Sequence, residues 1–258
     1  MPNLLIRLAL LAATGLAPAL TSMAQQAGPN DPSAAELKKN LAVIEASTEF
    51  EDEAWEGLMK ETSRKLILYL RTHEVSAAAA KNMGLELSAD SKDAAHLKVF
   101  TYSYSSGGTR GTVHRPVYQW KNAAGQLFAY HPDQECFFYE IHKLNTAGRT
   151  LYLLLGQEKG DGRCLASEAY VLELKGNYLL LDNAAFGQSP GLVLCNVDMT
   201  FQAAQQALRI SLTEHQDPID EEARTDFARS LLSGGYRVRR GAKSVVLQLS
   251  AARFVQKP

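Results

Sequence analysis

The spacing of apolar positions changes part-way along the chain. Between residues 33 and 86 they recur at helical intervals. Leu37, Leu41 and Ile44 share one face of a first helix. That helix opens either at Asp31, with Pro32 in the first helical position, or at Ser33, with Glu36 completing a capping box. Thr48 and Glu51 form a second capping pattern before a longer helix. Its apolar face carries Trp55, Leu58, Met59, Leu66, Tyr69 and Leu70, and its polar face Glu51, Glu56, Lys60, Glu61 and Arg64. Residues 76–83 either extend this helix or form a short third one that stops at Gly84.

From Leu97 the period falls to two. Val99, Thr101 and Ser103 alternate with Lys98, Phe100, Tyr102 and Tyr104, which predicts a strand with an aromatic face. Further strands are expected over 112–120, 126–130, 136–144, 149–155, 169–174, 178–181, 192–199, 207–212, 236–240 and 244–249. Turn-forming residues at 122–125, 145–148, 176–177 and 241–242 link neighbours closely enough for hairpins, hence antiparallel pairing. One helix, over 220–232, interrupts the strands before Gly234 and Gly235. The pattern predicts an α+β fold: N-terminal helices packed on a large antiparallel β-sheet, bent into a sandwich, an open barrel or a partial propeller. The helical pair would cover one open face of that sheet.

The N-terminus stands apart. Arg7 precedes an apolar run from Leu8 to Leu20, broken late by Gly15 and Pro18, and small Ser22 and Ala24 precede Gln25. This is the order of a secretory signal cleaved near Ala24. The expected organisation is a signal peptide over 1–24, a flexible lead-in over 25–32, and one α+β domain over 33–258. Within that domain, 33–86 is helical and 97–256 mainly antiparallel β. Nothing later in the chain approaches the roughly 20 apolar residues of a spanning helix, so the mature chain is expected to hold no transmembrane segment. The destination is then the periplasm or the extracellular space.

Composition adds two constraints. With 27 basic and 28 acidic residues the formal net charge is -1, which gives no electrostatic reason to expect nucleic acid as a partner. Three cysteines cannot all pair within the chain. Cys136 and Cys195 sit in apolar, strand-like runs and are expected to act as small hydrophobes. Cys164 follows the polar loop 159–163 and is the one expected at the surface.

The run from Leu97 to Thr109, ending Tyr-Ser-Tyr-Ser-Ser-Gly-Gly-Thr, is followed by His114 and by Val117-Tyr-Gln-Trp-Lys121. Together with residues 235–249 and Arg253-Phe254-Val255, it resembles a family of exported Bacteroidota proteins. The resemblance implies N-terminal helices, then an antiparallel sheet with a Gly-Gly-Thr turn, and it implies export. It brings no activity. This chain has Tyr104 where that family places Trp, and extra residues (110–113) between the Gly-Gly-Thr and its His.

Candidate chemistry is sparse. His114, His131 and His142 fall on or beside successive strands, with Asp133 near the second, and three converging imidazoles would suit a zinc ion. Their spacing fits no compact ligand motif, and ordinary strand histidines are the expected reading. The Gly-rich turn at 105–111 could nest an anion beside Arg110, but no helix stands behind it to add a dipole. Arg237, Arg239 and Arg240, with Lys243 across a turn, make a basic hairpin suited to an anionic glycan or headgroup, or simply to a charged strand edge. The aromatics Phe100, Tyr102, Tyr104, Tyr118, Trp120, Phe128 and Tyr130 are expected to fill a core; an open face among them would suit a sugar or a protein. No Gly-x-Ser-x-Gly elbow is present. The expectation is therefore an exported, non-enzymatic binding module without a cofactor, whose partner is an envelope protein or a glycan. The alternative is a secreted hydrolase built on the strand histidines, with or without a metal.

Overall fold

The computed structural model describes residues 32–47, 53–93, 96–106, 111–160, 164–182, 184–187, 189, 191–213, 221–239 and 241–256. The expected signal peptide, the Thr48–Glu51 cap, the Gly-Gly-Thr turn, Arg110 and Arg240 lie outside them.

The first three elements are helices: α1 (Ala34–Ala46), α2 (Glu53–Thr72) and α3 (Ala77–Met83). Ser33 is the cap of α1, its hydroxyl accepting from the Glu36 N–H. The chain breaks after α2 because Ser76 caps a separate α3, which ends at Gly84 in the left-handed region (φ 84). That conformation disfavours a side chain, which is why glycine marks the stop.

Among the described residues thirteen strands follow, in three antiparallel sheets in place of one. The first sheet contains β1 (Glu86–Ala89), β2 (Leu97–Ser105), β3 (Thr112–Lys121) and β4 (Leu127–Tyr130) in sequence order. The second runs β5 (Phe137–Leu144), β6 (Thr150–Lys159), β7 (Leu165–Lys175) and β8 (Tyr178–Leu181). Its fifth strand, β9 (Gly191–Cys195), lies beside the other half of β7. The third holds β10 (Val197–Gln202), β11 (Ala207–Leu212), β12 (Ser244–Ser250) and β13 (Arg253–Gln256). Helix α4 (Glu221–Ser233) sits between β11 and β12 in sequence.

These elements stack in layers. Leu37, Leu41, Ile44, Leu66 and Leu70 of the helices meet Phe100, Tyr102 and Val117 on one face of the first sheet. Leu97, Val99, Tyr118 and Trp120 leave the other face to meet Phe138, Tyr152 and Leu154 of the second sheet. Leu151, Leu153 and Leu155 point the opposite way, into a seam with Leu208, Ile210 and Leu247 of the third sheet, closed by Phe227 and Leu231 of α4. The α+β class with helices on antiparallel sheets is therefore as the pattern predicts, in layered form and without a closed barrel. The aromatic face of β2 packs on the helices, as its periodicity suggests.

Three local expectations are corrected. The run 192–199 is two strands, because Asn196 takes a positive φ of 54 and turns the chain from the second sheet into the third. Its side chain accepts from the Leu165 N–H and its N–H donates to the Leu165 carbonyl, fixing the corner. Residues 236–239 are not a strand. The Tyr236 N–H caps α4 at the Leu231 carbonyl, and the Gln256 side chain bonds both backbone groups of Arg237, so the segment has no ladder to join. Cys195 is not a buried hydrophobe: strand alternation turns Leu192 and Leu194 inward and Cys195 outward, where it forms a disulfide with Cys164. Cys136 alone is a free, buried thiol.

One buried polar side chain ties helix to sheet. Gln119 on β3 is 2% exposed, and its amide donates to the carbonyls of Leu70 (2.6 Å) and His73 (2.7 Å) at the C-terminal end of α2. A helix leaves its last carbonyls without intrahelical donors, and here the sheet supplies them. Replacing Gln119 with Leu strands both acceptors, at about 1–3 kcal/mol each. We expect Gln119→Leu to lose about 2–6 kcal/mol in urea unfolding. A loss below about 0.5 kcal/mol would show that other donors satisfy these carbonyls.

Candidate functional site

The β2–β3 hairpin is flanked by an open cleft on each face, and strand alternation decides which residue enters which. Pro116 marks the region. β4 pairs with β3 only over Tyr118–Lys121, so over 112–116 β3 is bonded on its β2 side alone, where a residue lacking an N–H is tolerated. The connection from β4 to β5, residues 131–136, wraps this free edge and contributes to both faces.

On the face toward the second sheet, Nδ1 of His114 lies 2.9 Å from Oε2 of Glu158. Glu158 is 5% exposed and stands on β6, in phase with the core residues Tyr152 and Leu154. The pair opens onto a cleft of about 400 Å3 that also includes Thr112, Phe137, Gln157 and Lys159. Behind it lies a second buried carboxyl, Glu168 on β7, which receives a long hydrogen bond from Gln134 (3.4 Å). Burial raises the Glu168 pKa, against hydrogen bonds from Tyr170, Gln134 and Cys136. The Cys136 thiol is pushed far up, first by burial and then by the Glu168 charge. It occupies the space beside Gly156, where any Cβ would collide with its sulfur and with the Phe137 carbonyl. A base oriented by a carboxyl is half of a nucleophilic triad. Among the described residues, Glu158 is the hydrogen-bond partner of the His114 side chain.

On the helix face, α2 and the hairpin enclose a groove of about 660 Å3. Trp55 meets Tyr104 edge to face at 5.1 Å, forming an aromatic wall with Met59 and Ile67 beside it. Arg115, next to His114 and therefore on the opposite face, forms part of the floor and donates through Nη1 to Glu135 at 3.2 Å. His131 stands beside it, its Nε2 3.5 Å from the Tyr102 hydroxyl, which in turn lies 2.8 Å from the Ser63 hydroxyl. Burial, followed by the Arg115 charge, lowers the His131 pKa from 6.5 to about 4, so the ring is neutral at physiological pH.

The other sequence candidates fall elsewhere. His142 projects from β5 toward the third sheet, 2.9 Å from Glu140 and with its ring 4.9 Å from that of Phe201. The three histidines thus serve three different layers. Among the described residues no group of three His, Cys, Asp or Glu side chains is placed to hold a metal ion. Arg237 and Arg239 are exposed beside β12, around a separate cleft of about 580 Å3 lined by Val238, Ser244 and Gln256. Arg237 and Arg239 therefore sit on a loop and not on a strand edge. Among the described residues no helix is long and apolar enough to cross a membrane.

Sequence reasoning missed Arg115, Ser63 and Glu158 and assigned Trp55 to packing alone, while Tyr104 stood among aromatics expected to fill a core, with an open face suited to a sugar or a protein as the alternative. The signal the carboxyls left is one of parity: Glu158 is in phase with buried Tyr152 and Leu154, and Glu168 with buried Leu172. No family model matches the chain, and neither a curated protein nor a solved structure matches it.

The His131 shift fixes a pH dependence. Its folded pKa of about 4 lies below the ordinary 6.5, so the unfolded chain takes up this proton first as pH falls. The group's contribution to stability is full above pH 6.5 and is lost as pH drops toward 4. Allowing for solvent screening, the loss is about 1–2 kcal/mol. Urea unfolding of the wild type and of His131→Gln between these limits should show the variant losing less stability by that amount. Parallel curves would refute the depressed pKa.

Proposed function

We propose that the protein is an exported, non-enzymatic binding protein of the cell envelope or extracellular space, and that the groove between α2 and the β2–β3 hairpin holds its ligand. The observation that carries this reading is the aromatic wall of Trp55 and Tyr104 beside Arg115 and the neutral His131. Ligand sites combine apolar surface with a few fixed polar groups in a cleft of this size. The divergence of His114, His131 and His142 removes the motive for a three-histidine metal hydrolase. The resemblance to exported Bacteroidota proteins and the basic, apolar and small-x-small order of residues 1–24 support export. The Cys164–Cys195 disulfide fits an oxidising compartment.

Protein recovered from its producing cells should begin at Gln25 by intact mass. A broad hydrolase panel should give no turnover; activity abolished by His114→Ala would instead establish the His114–Glu158 pair as a catalytic base and its orienter.

The cysteines give a further test. The bridge spans a sequence separation of 31 residues, and closing a loop of that length stabilises by about 3–4 kcal/mol in the chain-entropy account. Reduction should therefore lower the urea midpoint substantially. Without reductant, the native protein should show no reactive thiol and the unfolded protein one, from Cys136. Two or more reactive thiols on unfolding would contradict the pairing.

A further inference from the structure

The formal net charge of -1 hides a division along the chain. Residues 1–226 hold 20 basic against 28 acidic residues, while residues 227–258 hold 7 basic and none acidic. Charge set apart in this way points to an anionic partner. The fold gathers it at the end of the third sheet. Arg209 on β11 stands opposite Val246 on β12, both exposed on the outer side, and Arg253 and Val255 of β13 share that side. Arg237 and Arg239 flank the cleft beside the start of β12, and Lys243 is exposed at the turn into that strand. Among the described residues none of these five cations has an ion pair or a side-chain hydrogen bond. In the earlier layers Arg64, Lys65, Arg115, Lys121, Lys143 and Arg149 are each bridged to a carboxyl. Within the strands of the third sheet the single carboxyl is Asp198, on β10, two strands from β12.

We infer that this basic end of the third sheet docks on an anionic phospholipid surface. The surface is separate from the groove between α2 and the hairpin, and neither reading needs the other. Its arginines project from a fixed backbone. The Tyr236 hydroxyl donates to the Phe254 carbonyl at 2.9 Å, the Gln256 side chain bonds both backbone groups of Arg237, and the Ala242 N–H donates to the Arg239 carbonyl at 2.9 Å. A guanidinium fork matches two phosphate oxygens at once. Among the described residues the rest of the cleft is lined by aliphatic or small side chains such as Val238 and Ala242, with no carboxyl and no aromatic ring. A carboxyl would repel the anion, and a ring is the surface on which a sugar chain would stack. Val246 and Val255, 40% and 42% exposed, set aliphatic carbon beside the cations. That pairing suits the boundary between headgroup and acyl chain, whereas a soluble polyanion gains nothing from exposed valine.

The mature protein should co-sediment with phosphatidylcholine vesicles holding about 30% phosphatidylglycerol and not with phosphatidylcholine alone, and about 0.5 M salt should weaken the binding. Each surface cation contributes about fivefold to such partitioning, so Arg237→Ser with Arg239→Ser should weaken it about 25-fold. Lys39→Ser with Lys81→Ser removes the same charge from exposed positions on α1 and α3 and should change it less than about twofold. Val246→Ser, at unchanged charge, should weaken it about threefold. All three variants alter exposed residues, and urea midpoints equal to wild type would show them folded. Failure to bind anionic vesicles, or binding that the Arg237 and Arg239 changes leave intact, overturns the assignment. So does displacement by inorganic phosphate at constant ionic strength, which would give the cleft to a soluble phosphate, or preference for polygalacturonate over vesicles, which would give it to an anionic glycan. None of these outcomes bears on the groove.

Discussion

The second sheet has no solvent face along its centre, and the layered order of the molecule follows from that. Strand β6 buries Leu151, Leu153 and Leu155 in one direction and Tyr152 and Leu154 in the other. A strand buried on both faces needs a cover on each side, and the first and third sheets provide them. Antiparallel sheets usually leave one face to water. Here water meets the outer helices, the outer side of the third sheet and the edges. Recognition is accordingly displaced from sheet faces to the places where layers end.

The β2–β3 hairpin is such a place. Past Pro116 the hairpin outruns β4, so the adjacent residues His114 and Arg115 diverge into separate clefts within one peptide unit. The connection over 131–136 then links the two. His131 faces the helix side, Gln134 bonds the carboxyl of Glu168 in the sheet seam, and Glu135 holds Arg115. Two chemically unlike environments thus share a single edge, one with a buried carboxyl–imidazole pair and the other with an aromatic wall beside a guanidinium.

How much of this was legible follows from the kind of signal each feature leaves. The helix caps at Ser33 and Gly84, the aromatic face of β2 and most strand positions are set by local rules and could be read directly. The division into three sheets could not, since it turns on single residues such as Asn196, whose positive φ has no periodic signature. The disulfide partner of Cys164 was hidden for a related reason: parity within 191–195 depends on where that strand starts. The groove was the least visible. Trp55 and Tyr104 lie about 50 positions apart and carry the same apolar pattern as core residues, so only the packing of α2 on the hairpin distinguishes a wall from a filling.

Gln119 has a mechanical side. Its amide holds the C-terminal end of α2 at Leu70 and His73, while Trp55 sits near the other end of the same rigid rod. At 1.5 Å per residue the two points are roughly 22 Å apart, so a tilt of about 5° at the tether displaces the indole by about 2 Å. The helix therefore acts as a lever with a fixed fulcrum. Small adjustments in how α1 seats against it are magnified at the mouth of the groove, while the floor at Arg115 stays anchored to the sheet.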